Sequence, residues 1–363
     1  MLATGDSHRF DLFPSLDALP EDSCRLWRGR VAESFFLSRG WFDCLIAAGL
    51  DAGDVVALGA LQSEEGRVLA LLPARFAGGG SRILPTRRLG SLTGIYACLF
   101  RPILASDADA SETARSLGRH LGASLASSDI IQLDALDAEW LELEEFEAGL
   151  KEAGFASARY DHFGNWSEAI GGRSFEQYLA AREGSIREIV RRRRRALEKQ
   201  GARYEVLSAI EGIDQGIAAY EAVYARSWKQ PEPHPRFHEH LIRSASREGV
   251  LRLGFCRVGD RPIAVQLWIV WQGRATVLKL AHDQELDRLS PGSVLLAHMI
   301  RHVIEKDAAR EIDFGRGDDP YKRHWAAQRH QRIGLIAANP RSLAGLGVLA
   351  RQLAGRWLSS TRK

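Results

Sequence analysis

The chain has 363 residues, enough for two domains with a core each at ~100 to 200 residues per domain. Hydrophobic residues make up 45% and charged residues 26%, which argues against a disordered or fibrous chain, and a net charge of +3 is too small to imply a nucleic-acid binder. Cys24, Cys44, Cys98 and Cys256 are scattered, with no C-x-x-C pair and no histidine at ligand spacing. Neither a disulfide framework nor a metal site is expected, and four separate thiols fit a reducing cytoplasm.

Residues 1–13 carry charges without an apolar run, and no later stretch reaches the ~18 apolar residues of a membrane span. Export and integral insertion are both disfavoured. The first half then predicts a helix at 41–48 and a β-hairpin from the apolar runs 54–62 and 67–76, turned at Glu64, Glu65 and Gly66. A Gly/Ser-rich loop around 78–81 follows. After it come a helix from about Ser111, a short strand at 130–133 and a helix through Leu150. The stretch 164–172 has no clear period, and a helical series begins at Ser174, so a domain boundary is placed near 170.

In the second half, Ser185 and Glu188 have capping-box spacing, and Ile186, Ile189, Val190 and Leu197 give one apolar stripe. Arg187, Arg191, Arg194 and Arg195 share another face. Helices at 214–228 and 234–248 precede three strands, 250–258, 263–271 and 275–281, turned at Gly259-Asp260 and Gly273. A helix at 291–306, a short strand at 311–314, a Gly- and Asp-rich loop, a short helix and a strand at 332–338 complete the pattern. A three-strand meander followed by a strand-helix-strand crossover leaves middle strands able to splay apart at their ends and seat an extended ligand. Each half offers helix, paired strands, helix, strand, helix. The expected division is 1–170, 171–340 and a basic amphipathic tail helix at 341–363.

The stretches Leu289-Ser290-Pro291-Gly292, Asp313-Phe314-Gly315 and Tyr321-Lys322-x-x-Trp325 carry a family resemblance. With the Arg-rich helix and Arg261-Pro262-Ile263-Ala264, they resemble the carboxyl-terminal domain of the FemAB-like and cellulose-locus acetyltransferase group of GNAT N-acyltransferases. The resemblance covers about residues 174–340, and the amino-terminal half matches in architecture only. It implies a mixed α/β fold of tandem GNAT-like domains, each a mainly antiparallel splayed sheet flanked by helices. It also implies transfer of an acyl or aminoacyl group onto a primary amine, with acyl-CoA as co-substrate and no resident cofactor.

Ser290-Pro291-Gly292-Ser293 has its own physical reading. Serine is a preferred N-cap, proline suits the first helical position, and glycine lets a diphosphate approach free backbone N–H groups; a well-capped helix without ligand is the alternative. Arg288, Ser290, Gly292 and Ser293 are the candidate donor-binding residues, although Arg288 lies four before Gly292, where the usual GNAT arrangement has three. The corresponding loop of the first half, 107–116, is acidic at Asp107, Asp109 and Glu112 and would repel a diphosphate, so one donor site is expected.

Acyl transfer to an amine needs a deprotonated nitrogen, oxyanion stabilisation and a proton for the leaving group. Lys322 is the first candidate, because in the resembling family the Tyr-Lys pair contacts the reacting acyl group; Tyr321 accompanies it. His282 can act as base, and Asp313 either accepts the amine proton or bonds loop backbone. Arg187, Arg191, Arg194 and Asp319 are candidate substrate contacts. The basic stripe reads as a solvated face, a phosphate or anionic-lipid contact, or an RNA contact, the last weakened by the lack of interleaved aromatics. The strand 264–271 reads as core or as the lining of an acyl tunnel.

In the tail, Leu343, Leu346, Leu349, Leu353 and Trp357 recur at helical spacing among Arg341, Arg351, Arg356, Arg362 and Lys363. That pattern suits peripheral contact with anionic membrane on the inner face, or packing on its own domain. Acyl-CoA-dependent N-acylation of an envelope lipid or glycan precursor, a sphingoid base or amino sugar, is the leading expectation. A FemAB-type ligase using aminoacyl-tRNA and a non-catalytic binding module are the alternatives.

Overall fold

The computed structural model describes residues 8–29, 34–78 and 86–360, with side chains as far as Arg351. The loop at 79–81 and the tail cations Arg362 and Lys363 lie outside the described residues, as do the side chains of Leu353, Arg356 and Trp357.

In chain order the first elements are β1 (Arg9–Phe13), α1 (Ser23–Gly29), α2 (Arg39–Ala48), β2 (Val55–Val56), β3 (Leu58–Gln62), β4 (Val68–Leu72) and β5 (Ala74–Phe76). Next come β6 (Arg88–Ser91), β7 (Ile103–Leu104), α3 (Ala110–Ser124), β8 (Ile130–Asp137), α4 (Leu143–Glu152) and β9 (Ala156–Ala169). The second half has α5 (Phe175–Ala180), α6 (Gly184–Lys199), β10 (Ala202–Leu207), α7 (Ile213–Ala225), α8 (Phe237–Arg247), β11 (Leu251–Val258), β12 (Arg261–Trp271) and β13 (Arg274–His282). It ends with α9 (Pro291–Glu305), β14 (Glu311–Arg316), β15 (Gln328–Ala338) and α10 (Leu343–Ser360).

The chain forms two compact units: one of residues 1–46, 50–163 and 331–363, the other of 47–49 and 164–330. The sequence placed these divisions at 170 and 340. The difference at the far end follows from strand pairing, since Arg332 to Ala338 of β15 pair antiparallel with β8 in the first unit.

Within the first unit, the expected hairpin forms between β3 and β4, but both apolar runs are broken. Their outer ends, β2 and β5, pair separately, and β5 continues to β6. Tight contact of α3 with α4 depends on glycine. A Cβ on Gly149 would lie 2.0 Å from the Arg115 carbonyl oxygen, and one on Gly118 would lie 2.2 Å from that of Phe146. The N-terminus of α3 is capped by Asp109, whose carboxylate accepts from the Glu112 amide.

The second unit has a strand order β10-β11-β12-β13-β14-β9. The first four are an antiparallel meander, β13 and β14 are parallel across the α9 crossover, and the end of β9 closes the edge antiparallel to β14. Both β9 and β10 were absent from the sequence reading. β9 contains Asp161, His162, Gly164 and Asn165 with no alternation, and β10 is a polar edge strand with a buried side on Tyr204 and Val206 only in part. The unbroken burial of Ile263 to Ile269 makes β12 the centre of the core, where Trp268 is packed with Val294, Leu295, Met299 and Phe314. Covering a fully buried strand in this way is what a continuous apolar run predicts.

The capping box expected at Ser185 lies one helix earlier. Ser174 Oγ accepts from the Gln177 amide while Gln177 Oε1 accepts from the Ser174 amide. Because α6 starts at Gly184, Ser185 falls inside its first turn and donates to Glu183 instead.

Candidate functional site

Two bulges open the sheet of the second unit at one level. The register of β12 on β13 slips between Leu267 and Trp268, whose partners are Lys279 and Val277, leaving Leu278 out of the ladder. Across the sheet, Asp313 pairs with Ser167 and Arg316 with Asn165, so Phe314 and Gly315 together face one residue of β9. Gly315 has φ of 66°, a conformation that glycine supplies at little cost. Parallel pairing of β13 with β14 stops at Thr276 and Asp313, after three residue pairs. A bulge bends its strand and raises local twist, so bulges on the two neighbours part them beyond this point.

The β14 bulge is held by side chains. Buried Asp313 accepts at Oδ1 from Asn165 Nδ2 (2.7 Å) and from the Gly315 amide (2.7 Å), and Asn165 Nδ2 also donates to the Gly315 carbonyl (2.9 Å). Lys322, 3% exposed, donates to the carbonyls of Arg316 (2.7 Å) and Gly317 (3.1 Å), with Gly315 at 3.5 Å and Asp319 Oδ2 at 3.1 Å. Its protons are committed to the loop leaving β14. Lys322 and Asp313 therefore act here as supports of the bulge: bonding loop backbone is one of the two roles the sequence left open for Asp313, whereas Lys322 was expected at the reacting acyl group. Asp319 is exposed beside Lys322. Burial, with the nearby Asp319 charge, pushes the Tyr321 phenol above its ordinary range, so this hydroxyl stays protonated and can donate but not act as a base.

On the other side of the opening, β13 ends at His282. Its Nε2 is 2.6 Å from Asp287 Oδ1, its Nδ1 is buried without a hydrogen-bond partner, and its ring lies 4.5 Å from that of Trp228. A Cβ on Gly292 would lie 2.8 Å from Nδ1, so glycine lets the first turn of α9 approach the imidazole. Gln266 holds that turn, donating from Nε2 to the Gly292 carbonyl (3.0 Å) and accepting from Trp268 Nε1 (2.9 Å). Ser290 is the N-cap residue of α9 but makes no side-chain cap; it is left-handed, with φ of 51° and ψ of 48°. A non-glycine residue pays about 1–2 kcal/mol for that conformation. The α9 start thus differs from that of α3, where the Asp109 carboxylate takes the Glu112 amide. Arg288 and Ser293 flank it, Arg288 exposed.

The segment after α7 links the two sides. Trp228 lies on His282, while the charges of Lys279, Asp319 and Lys322 reach Lys229. Burial, then the like charge of Lys279, lowers the Lys229 amine below its ordinary range. Lys279 bonds Glu232 at 2.6 Å, and burial of that carboxyl is outweighed by Lys279 and Tyr224, which hold it below its usual range. Asp283, buried next to His282, receives Arg226 (2.9 Å) and Arg261 (2.5 Å) and caps the turn that follows.

The sequence reading missed Asp287, Asn165, Trp228, Lys229 and Lys279. Asp287 had a signal, since it lies five positions after His282 across a short turn. Asn165 had none, because its strand was unread. Arg187, Arg191 and Arg194 are not at this opening; they line a cavity along α6 and α9. The apolar run of β12 is packed core, and no tunnel is lined by it among the described residues.

The model of the acetyltransferase (GNAT) domain matches residues 184–323, from the first residue of α6 to the loop beyond the β14 bulge. Residues 184–323 are a GNAT acyltransferase domain. FemX matches 88% of this chain with 96% of its own, at 13% identity and a TM-score of 0.58. The C-terminal domain of a putative lysylphosphatidylglycerol synthetase from Agrobacterium fabrum matches 92% with 97% of its own, at 12% identity and a TM-score of 0.53. A tandem GNAT protein from the clavulanic acid biosynthesis pathway matches 92% with 99% of its own, at 11% identity and a TM-score of 0.53. These likenesses establish a mixed α/β, tandem GNAT fold, which FemX shares. No curated protein matches the chain by sequence. The GNAT domain marks the chain as a transferase.

Proposed function

We propose that the GNAT domain transfers an acyl group from acyl-CoA to a primary amine on a lipid or glycan precursor of the cell envelope. The observation that carries this reading is the opening between the two bulged parallel strands, with the uncapped, glycine-bearing start of α9 beside it. The thioester lies in the opening and the coenzyme diphosphate against Gly292 and Ser293, with Arg288 at its edge; helix amides and the α9 dipole favour such an anion. The main-chain amide at Leu278, out of the ladder, stabilises the oxyanion. His282, oriented by Asp287, takes the amine proton, and the thiolate leaves as the amide forms. Tyr321 supplies a hydrogen bond from its protonated phenol. The fold shared with FemX and with the lysylphosphatidylglycerol synthetase domain supports an acceptor on the envelope side of metabolism.

The test is mass spectrometry of products from acetyl-, palmitoyl- and hydroxyacyl-CoA, each with amino-sugar and long-chain-base acceptors. Thiol release with matching amide formation is expected. No thiol release with any donor overturns the reading, and product formation from charged tRNA that ribonuclease abolishes assigns the donor to aminoacyl-tRNA.

A further inference from the structure

The cavity along α6 and α9 is separate from the strand opening and built from different chemistry. It has a volume of about 350 Å³, within the ~300–1,000 Å³ of small-ligand sites. Phe175, Leu179, Val190, Val294 and Ala297 give it an apolar floor, and Arg187, Arg191, Arg194 and Arg301 line it with no carboxylate among them. Helix α6 carries six arginines and a lysine against two glutamates, a net +5.

Two arginines stand over aromatic walls, Arg301 at 4.2 Å from the Phe175 ring centre and Arg194 at 5.7 Å from that of Tyr204. Cation–π contact of this kind holds the guanidinium in place while its N–H groups can still bond an anion. Their acidic partners do not compete strongly. Arg191 pairs with Glu188 and Arg194 with Glu198 on exposed side chains, and half-buried Arg301 pairs with the exposed Glu176 and Glu305; pairs open to solvent in this way are weak and exchangeable. Within the wall, Tyr204 stacks on His298 at 5.2 Å and its hydroxyl is buried. Burial, followed by the field of Arg194, pushes the His298 imidazole down to about 4, so at neutral pH the wall adds polarity without adding charge.

We propose that this cavity binds an anionic phospholipid, with the phosphate on the arginine edges and the upper part of an acyl chain on the Phe175–Val190–Val294 floor. A free phosphate compound would satisfy the arginines but leave the apolar floor against water, and a neutral lipid would leave the arginines without an acceptor. The pairing of both features in one cavity selects an amphiphile of negative charge. Because binding is read without any acyl donor, its failure is distinct from failure of the transfer reaction.

The experiment measures binding of dioctanoyl phosphatidylglycerol, kept below its micelle concentration, to the full chain by calorimetry. Ala297→Trp fills the floor, and the exposed pair Arg191→Gln/Arg194→Gln removes phosphate donors without touching the core. Each is expected to weaken binding about ten-fold or more, the scale of one lost charge-assisted hydrogen bond, and dioctanoyl phosphatidylcholine is expected to bind more weakly by a similar factor. The arginine variant carries the test if Ala297→Trp loses its circular-dichroism signal. Unchanged binding in the folded variants, or equal binding of the two lipids, overturns the proposal. Inorganic phosphate or coenzyme A binding as tightly at this cavity overturns it in favour of a free-phosphate site.

Discussion

At the scale of the residue, the sharpest difference between a chemical and a supporting role is at Lys322. A lysine serving the oxyanion would, on replacement, lower turnover and leave stability intact. The buried ammonium described here instead ties three carbonyls and a carboxylate, so Lys322→Met is expected to cost about 3 kcal/mol of stability, read as a shift in urea midpoint. Gly292 makes the opposite case: Gly292→Phe drives a side chain at His282 Nδ1 and blocks the first α9 amides. Its expected signature is a rise in the acyl-donor KM of about 10- to 100-fold, from one or two lost charged hydrogen bonds, with the far-ultraviolet spectrum unchanged. His238 sets a pH dependence. Burial, aided by Lys279, pushes its imidazole down to about 3, whereas the unfolded value is about 6.5. A depressed histidine leaves stability complete above pH ~6.5 and removes it as the pH falls toward 3, by about 1.4 kcal/mol per pH unit at the steepest. His238→Phe should flatten the loss of stability between neutral and mildly acidic urea titrations; an unchanged slope would assign it to other groups.

At the scale of the element, the helices were legible because their apolar residues recur on one face and the buried strands because they are continuous. β11, β12 and β13 fall within a residue or two of their sequence ranges for this reason, and α9 likewise, while α7 ends three residues earlier and α8 begins three residues later than expected. What sequence could not show was pairing. β9 carries polar residues on both faces because its Asn165 and Glu168 are buried and satisfied by Asp313 and the Ala327 amide, far along the chain, which erases the alternation a strand normally displays. The bulges were equally hidden, since Leu278 looks like any strand leucine until its register is known. Capping depends on where a helix begins, so the motif spacing at Ser185 misled while Ser174 carried the real box. Ser174→Ala is expected to cost about 1 kcal/mol, measured by denaturant unfolding, with Ser185→Ala near neutral.

At the scale of the whole chain, the second unit owns its core, a cluster running from Ile170 to Ala326. Residues 164–330 produced alone are expected to unfold cooperatively, with one calorimetric transition; a broad, non-cooperative melt would show that the core depends on the rest of the chain. Among the described residues no helix is long and apolar enough to cross a membrane. Leu343 and Leu346 of α10 are nonetheless exposed, which keeps contact with a lipid surface a matter for vesicle flotation.

Pairing of β8 with β15 sets an order on biogenesis. Asp137 and Arg332, bonded across that ladder, leave the ribosome 195 residues apart, about 10–40 s at ~5–20 residues per second. Through that interval the β8 edge has no β15 beside it, while the segment that closes the GNAT core has already emerged. The usual amino-to-carboxyl order of domain maturation is therefore reversed: the inserted unit can finish first, and the surrounding sheet waits for it with an open edge, the stage at which a nascent-chain chaperone would matter most.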